Sequence, residues 1–110
     1  MNERERRVGE NEILYREVNE RVRELSDEFG LTDETIQFVC ECGRLECSEP
    51  LELTGADYAR VRSDGATFAI VPGHQLPDVE TLVEEHAGWA VVRKHENGPA
   101  QLAREADPRS

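Results

Sequence analysis

The stretch FVCECGRLEC, residues 38–47, holds all three cysteines of the chain and predicts a metal-centred turn in the fold. The cysteines follow the spacing C-x-C-x4-C. In an extended segment residues i and i+2 point to the same face, so Cys40 and Cys42 can converge on one point. Gly43 permits a sharp bend directly after them, and the following residues return Cys47 to the same place. The spacing therefore predicts three ligands of a tetrahedral zinc site, with Zn–S bonds of about 2.3 Å.

The fourth ligand has to come from outside this stretch, and a histidine nitrogen is a common partner for thiolates. We predict His74, because it follows a Pro-Gly turn at the end of a predicted strand in IVPGH, residues 70–74. Such a turn is rigid and allows a close approach to a neighbouring loop. His86 and His95 lie in a predicted helix and a charged tail, which makes them weaker candidates. The alternatives to a histidine are a water molecule or a carboxylate of Glu41, Glu46 or Glu49.

The residues alone leave other interpretations of the cysteines open. They could be buried apolar residues, although their clustering within eight positions argues against this. They could form a disulfide with one thiol left over, but the odd count and the lack of a signal-peptide pattern favour reduced thiols in the cytoplasm. A redox-active pair typically has the spacing C-x-x-C, which this chain lacks.

Two resemblances extend the zinc prediction. The spacing C-x-C-x4-C alone is similar to the post-SET zinc motif, in which three cysteines hold one zinc with a distant fourth ligand, and nothing else in the chain resembles a SET domain. Over most of its length the chain resembles a family of small uncharacterised actinobacterial proteins with a C-x-C-x4-C … P-G-H pattern. The segments that carry this likeness are NEILYREVNE (11–20), FVCECG (38–43), EPLELT (49–54) and VPGH (71–74). The resemblance implies that the three cysteines group with His74, and it brings no activity with it.

Length and charge limit the function classes. A chain of 110 residues predicts one domain, which we place at residues 11–95, after a flexible charged lead-in (1–10) and before a polar tail (96–110). Thirteen basic and 24 acidic residues give a net charge of −11. Such a surface argues against binding to nucleic acid or to an anionic membrane, and favours a basic protein partner. No apolar run approaches the length of a membrane span.

The pattern of apolar residues predicts an α+β domain with the element order α-β-β-α-β-α-β. We expect a small, mostly antiparallel sheet with helices on one side and the zinc site at one end. The clearest element is a helix over residues 11–29, with one apolar face made of Leu14, Val18, Val22, Leu25 and Phe29. We predict that this face packs on the sheet. The alternative is a partner surface or the seam of a homodimer, because the stripe is narrow and heptad-like.

The remaining elements are shorter. Predicted strands cover residues 35–40, 51–53, 67–71 and 89–94. A short helix begins after Thr54, whose hydroxyl can cap it. A further helix is predicted to open at Pro77 and to end at Gly88, with an inner side made of Val79, Leu82, Val83 and His86. The tail is expected to hold at most a helical fragment at 101–105.

These features predict a small zinc-stabilised regulatory or protein-interaction module and no enzyme. Four protein ligands leave no open coordination position for chemistry. The alternatives are a thiol/zinc redox switch and a zinc enzyme in which Glu41 or Glu46 acts as the base. The sequence has no H-E-x-x-H pair and no H-x-E with P-C-x-x-C, which are typical of zinc hydrolases and deaminases.

Overall fold

The computed structural model of the chain describes residues 3–44, 46–47, 49–96 and 98–107. Within these residues three helices and five strands follow one another: α1 Glu3–Glu28, β1 Thr35–Val39, β2 Pro50–Thr54, α2 Gly55–Val61, β3 Thr67–Ile70, β4 Glu80–His86, β5 Trp89–Lys94 and α3 Pro99–Glu105.

The strands form two antiparallel sheets. β1 pairs with β2, with Phe38 opposite Leu51, and β5 lies between β3 and β4. The chain just past β1 links the two sheets, because the amide of Glu41 donates to the carbonyl of Ala69 at 2.9 Å. The predicted α+β class with antiparallel strands is confirmed, with the strands divided between two sheets.

The apolar core draws on both sheets, α2 and α3. The ring of Phe38 stacks on that of Tyr58 with centroids 4.6 Å apart. Thr54 caps α2 as predicted, since its hydroxyl accepts from the amide of Asp57 at 3.0 Å. Cys40 and Cys42 belong to the same buried cluster, so the cysteine turn is attached to the core and does not project from the surface.

The helix predicted between Pro77 and Gly88 is wrong, because the chain forms β4 there. The strands β4 and β5 make a hairpin in which His86 faces Trp89, and the two residues between them include Gly88 at φ +87°. A glycine with positive φ in a two-residue loop is typical of a hairpin turn. In the sequence alone the same glycine also fits the end of a helix. Of the expected inner side only Val79 is buried, and the His86 ring stacks on Trp89 with centroids 4.1 Å apart.

The helix α1 differs from its prediction in both its start and its buried face. It begins at Glu3, so most of the expected lead-in is helical. Leu14, Val18 and Leu25 are 54, 45 and 45% exposed. Val22 is half-buried and packs against the core. The buried residues of α1 are instead polar: Glu12, Arg16, Asn19, Glu20 and Ser26.

The polar face of α1 is buried because it meets backbone groups and charged side chains of neighbouring segments. The Arg16 guanidinium donates to the carbonyls of Gly65 at 2.8 Å and Ala103 at 2.7 Å, and it lies 4.7 Å from the centre of the Phe68 ring. Leaving a buried carbonyl without a donor costs about 1–3 kcal/mol. The face of α1 that meets these segments therefore has to be polar, and the predicted packing of its apolar face on the sheet is wrong.

The chain beyond residue 95 also contributes to the packed domain. The expected helical fragment is present as α3, whose Ala100 and Ala103 are buried. With α1 starting at Glu3, the packed elements extend past the predicted limits of 11 and 95 at both ends.

Candidate metal centre

The cysteine turn starts where β1 ends. Cys40 and Cys42 are buried and Cys47 is half-buried. Gly43 lies between Cys42 and Cys47 at φ +80°. A Cβ atom built on it would lie 2.7 Å from the carbonyl oxygen of Val8 in α1. Both the backbone conformation and the close approach to α1 therefore require glycine at this position.

The structure brings the four predicted ligands together. One sulfur from each cysteine and one nitrogen of His74 all lie within 4.8 Å of one another. The Nδ1 atom of His74 is 3.8 Å from the Cys40 sulfur and 3.6 Å from the Cys47 sulfur. Tetrahedral zinc with ordinary bond lengths would set its sulfur and nitrogen ligands about 3.6 Å apart. The cluster thus has nearly the dimensions of a Cys₃His metal site, and the side chains fit such an ion.

His74 reaches the cluster from the turn after β3. Its amide donates to the carbonyl of Val71 at 3.0 Å, which closes the turn. The amide of Val71 in turn donates to the Cys40 sulfur at 3.1 Å. On the other side of the imidazole, Nε2 lies 3.3 Å from a carboxylate oxygen of Glu49. A carboxylate behind a histidine is the usual device for fixing the ring and keeping the opposite nitrogen free for a metal.

The pKa values of the three thiols are shifted in different directions. Hydrogen bonding to the Cys42 sulfur, together with burial, raises the pKa of Cys40, and burial raises the pKa of Cys47. The Cys40 thiol, and with it the Arg44 amide and the His74 ring, lowers the pKa of Cys42 to about 4 by hydrogen bonding. Without a metal the cluster therefore holds one thiolate among three sulfurs, and a bound dication would displace the two remaining protons.

The other candidate ligands lie elsewhere or face away. His86 lies against Trp89, and the Nε2 atom of His95 is 3.1 Å from the Thr81 hydroxyl. Glu49 contacts the far side of His74, as described above. Glu46 lines an open surface groove beside the cluster, together with Arg44, Cys47, Glu49 and His74.

Glu41 points away from the sulfurs, as expected for the residue between two that share a face. Its carboxylate accepts hydrogen bonds from the Tyr58 hydroxyl at 2.5 Å, from the Asn19 amide at 2.8 Å and from the backbone amide of Ala69 at 2.9 Å. Burial is the main cause that raises the pKa of Glu41. Glu41 therefore anchors the cysteine turn in the core and is not placed to serve as a base at the metal.

Two asparagines of α1 were missed by the sequence reasoning although they hold the cysteine turn. Asn19 exchanges hydrogen bonds with both backbone groups of Val39, at 2.8 and 2.9 Å, as a neighbouring strand would. Asn11 donates to the carbonyl of Gly43 at 3.0 Å. Their spacing of eight residues places them on one face of α1, but a search for apolar periodicity cannot find a polar face.

Comparison with known proteins adds no relative to this picture. The chain matches no family model, no curated protein and no solved structure. The resemblance to a family with a C-x-C-x4-C … P-G-H pattern therefore stays a prediction. Among the residues that the structure describes, no helix has the length and apolar character needed to cross a membrane. What the structure itself supports is a small α+β protein with a Cys₃His cluster that could bind a metal ion.

Proposed function

We propose that the protein is a small zinc-binding module in which the metal stabilises the fold. The observation that carries this is the convergence of Cys40, Cys42, Cys47 and His74, with sulfur–nitrogen distances of 3.6 and 3.8 Å. Three sulfur donors and one imidazole form a soft set that favours zinc over magnesium or calcium. A domain of this size gains useful stability from a structural metal.

A structural role follows from the donor count. Catalytic zinc keeps three protein ligands and an open position for water, whereas structural zinc has four protein ligands. The carboxylate of Glu41, between Cys40 and Cys42, is held in the core and does not face the metal. We therefore propose a protein that is not an enzyme. A thiolate site of this kind suits the reducing cytoplasm, where cysteines stay unpaired.

The cysteine turn is in direct contact with α1. The turn around the sulfurs is tied to α1 through Asn11 and Asn19. Metal loading therefore fixes the helix whose outer face exposes Leu14, Val18 and Leu25. We propose that the protein acts as a regulatory or protein-interaction module that presents this helix.

The first experiment measures the metal and its ligands. The purified protein should contain one zinc per chain by elemental analysis, and cobalt substitution should give the intense visible bands of a tetrahedral thiolate site. Cys42→Ser and His74→Ala should lower the affinity for zinc by at least about tenfold. The matched controls His86→Ala and His95→Ala should leave affinity unchanged.

Two results would overturn the proposal. A protein free of transition metal that also fails to bind added zinc or cobalt would remove the metal site. An unchanged affinity in His74→Ala would show that the fourth position belongs to another group or to water, and would favour the enzyme alternative.

A redox switch is a second candidate, because Cys47 is half-buried and lines the open groove beside the cluster. A hydroperoxide would oxidise the Cys47 thiolate to a sulfenic acid and be reduced to an alcohol or water. A second cysteine thiolate would then displace hydroxide, form a disulfide and release the metal. Peroxide treatment should give loss of zinc together with a mass decrease of about two hydrogens. Retention of zinc under mild peroxide would eliminate the switch.

A further inference from the structure

The face of α1 opposite its buried side is apolar and exposed. We call Leu14, Val18, Leu25 and Phe29 the outer stripe; they are 54, 45, 45 and 73% exposed. Leu31, just past the helix, is 40% exposed and continues it. Among the described residues the only other exposed large apolar side chains are Leu82 and Val83 on β4. Exposed apolar side chains that share one helix face are typical of an interaction site.

The outer stripe has the spacing of a helix–helix seam. Its residues are separated by four, seven and four positions, which puts Leu14 at position d and Val18 and Leu25 at position a of a heptad, with Arg21 at the d position between these two. Position g, which borders the seam on one side, is glutamate in three successive heptads: Glu10, Glu17 and Glu24. The stripe is therefore edged by a regular row of negative charge.

This acidic row is open to a partner. The ion pair from Arg6 to Glu10 is 3.9 Å long and that from Arg21 to Glu24 is 3.5 Å, with all four side chains half or more exposed. Glu17 is exposed and makes no ion pair among the residues that the structure describes. Exposed pairs of this length contribute little to stability, so exchanging them for charges on a partner costs little.

A second copy of the chain does not match this surface. An antiparallel pair of α1 helices would set the two glutamate rows against each other, and like charges across a seam oppose pairing. A parallel pair would set the glutamates against position e, which holds Tyr15, Val22 and Phe29. Neither arrangement sets a basic row against the glutamates: Arg21, at position d, already pairs with Glu24 of its own chain at 3.5 Å, and each copy carries −11.

We propose that the outer stripe binds an amphipathic helix of another protein, with an apolar seam bordered by lysine or arginine. This assigns the partner class for the interaction role proposed above and rests on that role. It does not rest on the identity of the metal, because none of the four stripe residues is a proposed ligand. Zinc content measured in each preparation separates a failure of this proposal from a failure of the metal site.

The probe is a labelled synthetic helix of about 21 residues, three heptads, with leucine at a and d and lysine at e and g. Two comparison peptides are needed: one with glutamate in place of lysine, and one with the basic composition in scrambled order. We expect the basic helix to bind at least about tenfold more tightly than either, and its affinity to fall with added salt because ion pairs contribute. Binding is measured by fluorescence anisotropy at low peptide concentration.

The stripe is tested by V18S/L25S, which changes two outward side chains and should leave zinc content and unfolding temperature intact. Affinity for the basic helix should fall by at least about tenfold. The matched control is L82S/V83S, two exposed apolar residues on β4, which should bind like the wild type. Charge reversal in E17K/E24K should transfer the preference to the acidic peptide.

Three outcomes would overturn the proposal. Equal binding of the scrambled peptide would show attraction by net charge alone. Unchanged binding by V18S/L25S would place the contact elsewhere. A dimer of the wild type in sedimentation that V18S/L25S dissociates would show that a second copy covers the stripe.

Discussion

The buried carboxyl of Glu12 gives a quantitative test of the polar packing of α1. Its Oε1 atom lies 2.6 Å from the ammonium of Lys94, which lies 2.6 Å from a carboxylate oxygen of Glu80. All three side chains are almost fully buried. Burial raises the pKa of Glu12 from 4.5 to about 8; Lys94 opposes this, while the charges of Glu80 and Glu41 add to it. The carboxyl is therefore protonated in the folded protein at neutral pH.

The raised pKa makes stability depend on pH in a defined direction. Between pH 4.5 and about pH 8 the folded chain holds one proton that the unfolded chain has lost. The free energy of unfolding therefore falls as pH rises through this window, by about 1.4 kcal/mol per pH unit, and is constant above it. Raising the pH from about 6 to 9 crosses about two units of this window. The titration of this carboxyl should therefore lower the free energy of unfolding of the wild type by about 3 kcal/mol.

The substitution Glu12→Gln removes the titration and keeps an oxygen that can accept from Lys94. Urea unfolding of the wild type and this variant at pH 6 and pH 9, in saturating zinc, measures the effect. The variant should gain about 3 kcal/mol relative to the wild type between the two pH values. Comparing the two proteins cancels the pH dependence of the metal itself.

The matched control is Glu17→Gln, the same change at an exposed position of α1. It should track the wild type at both pH values. If Glu12→Gln and the wild type differ by the same amount at pH 6 and pH 9, the Glu12 carboxyl does not titrate in this window. The account of a buried, protonated carboxyl in α1 would then be wrong.

Three further predictions concern the metal centre. Binding of zinc at pH 7 should release about two protons, because Cys40 and Cys47 have raised pKa values, and calorimetry in buffers of different ionisation enthalpy counts them. Glu49→Gln should weaken zinc binding by about tenfold, measured by competition with a chelator, because the carboxylate no longer orients the histidine ring. Gly43→Ala should lower thermal stability and zinc affinity together, because its methyl group would meet the backbone of α1.

The chain offers a control for each substitution. Gly88→Ala changes a glycine at φ +87° in the β4–β5 hairpin, with no atom within 4 Å of the added methyl group, so it carries the backbone strain without the collision. Equal losses in the two glycine variants would show that the contact with α1 does not matter. Glu46→Gln removes a carboxylate that lines the same groove and has no hydrogen bond to the histidine. If Glu46→Gln loses as much zinc affinity as Glu49→Gln, the Glu49 effect comes from net charge alone. Release of fewer than one proton on zinc binding would contradict a cluster that holds one thiolate and two thiols before the metal binds.

The cysteine turn could be predicted from sequence because its causes are local. Alternation puts Cys40 and Cys42 on one face, and positive φ at Gly43 allows the bend. The pairing of His74 with the cysteines is long-range, but the Pro-Gly turn before it limits where the side chain can go. The alternation that turns both cysteines inward also places Glu41 against Tyr58.

The two errors share a physical origin, because both concern elements whose environment is set by distant parts of the chain. Leu82 and Val83 follow Val79 by three and four positions, which fits one face of a helix, and only the pairing with β5 shows that this segment is a strand. In α1 the apolar stripe predicts a core face, because an apolar helix face is usually buried. The core beside α1 instead offers backbone carbonyls, including those of Gly65 and Ala103, and these require donors.

The packing of α1 with its polar face inward and the shape of the metal site depend on the same hydrogen bonds. Burying charged side chains such as Arg16 and Glu12 is costly even when they are paired, and such contacts favour one arrangement more than they add stability. Asn11 and Asn19 bind the backbone of the cysteine turn, so their contribution exists only while that turn keeps its shape. Metal binding energy is folding energy where the ligands are scattered in the unfolded chain. A metal ion bound by the four ligands would therefore help to hold α1 with its polar face inward and its outer stripe in solvent.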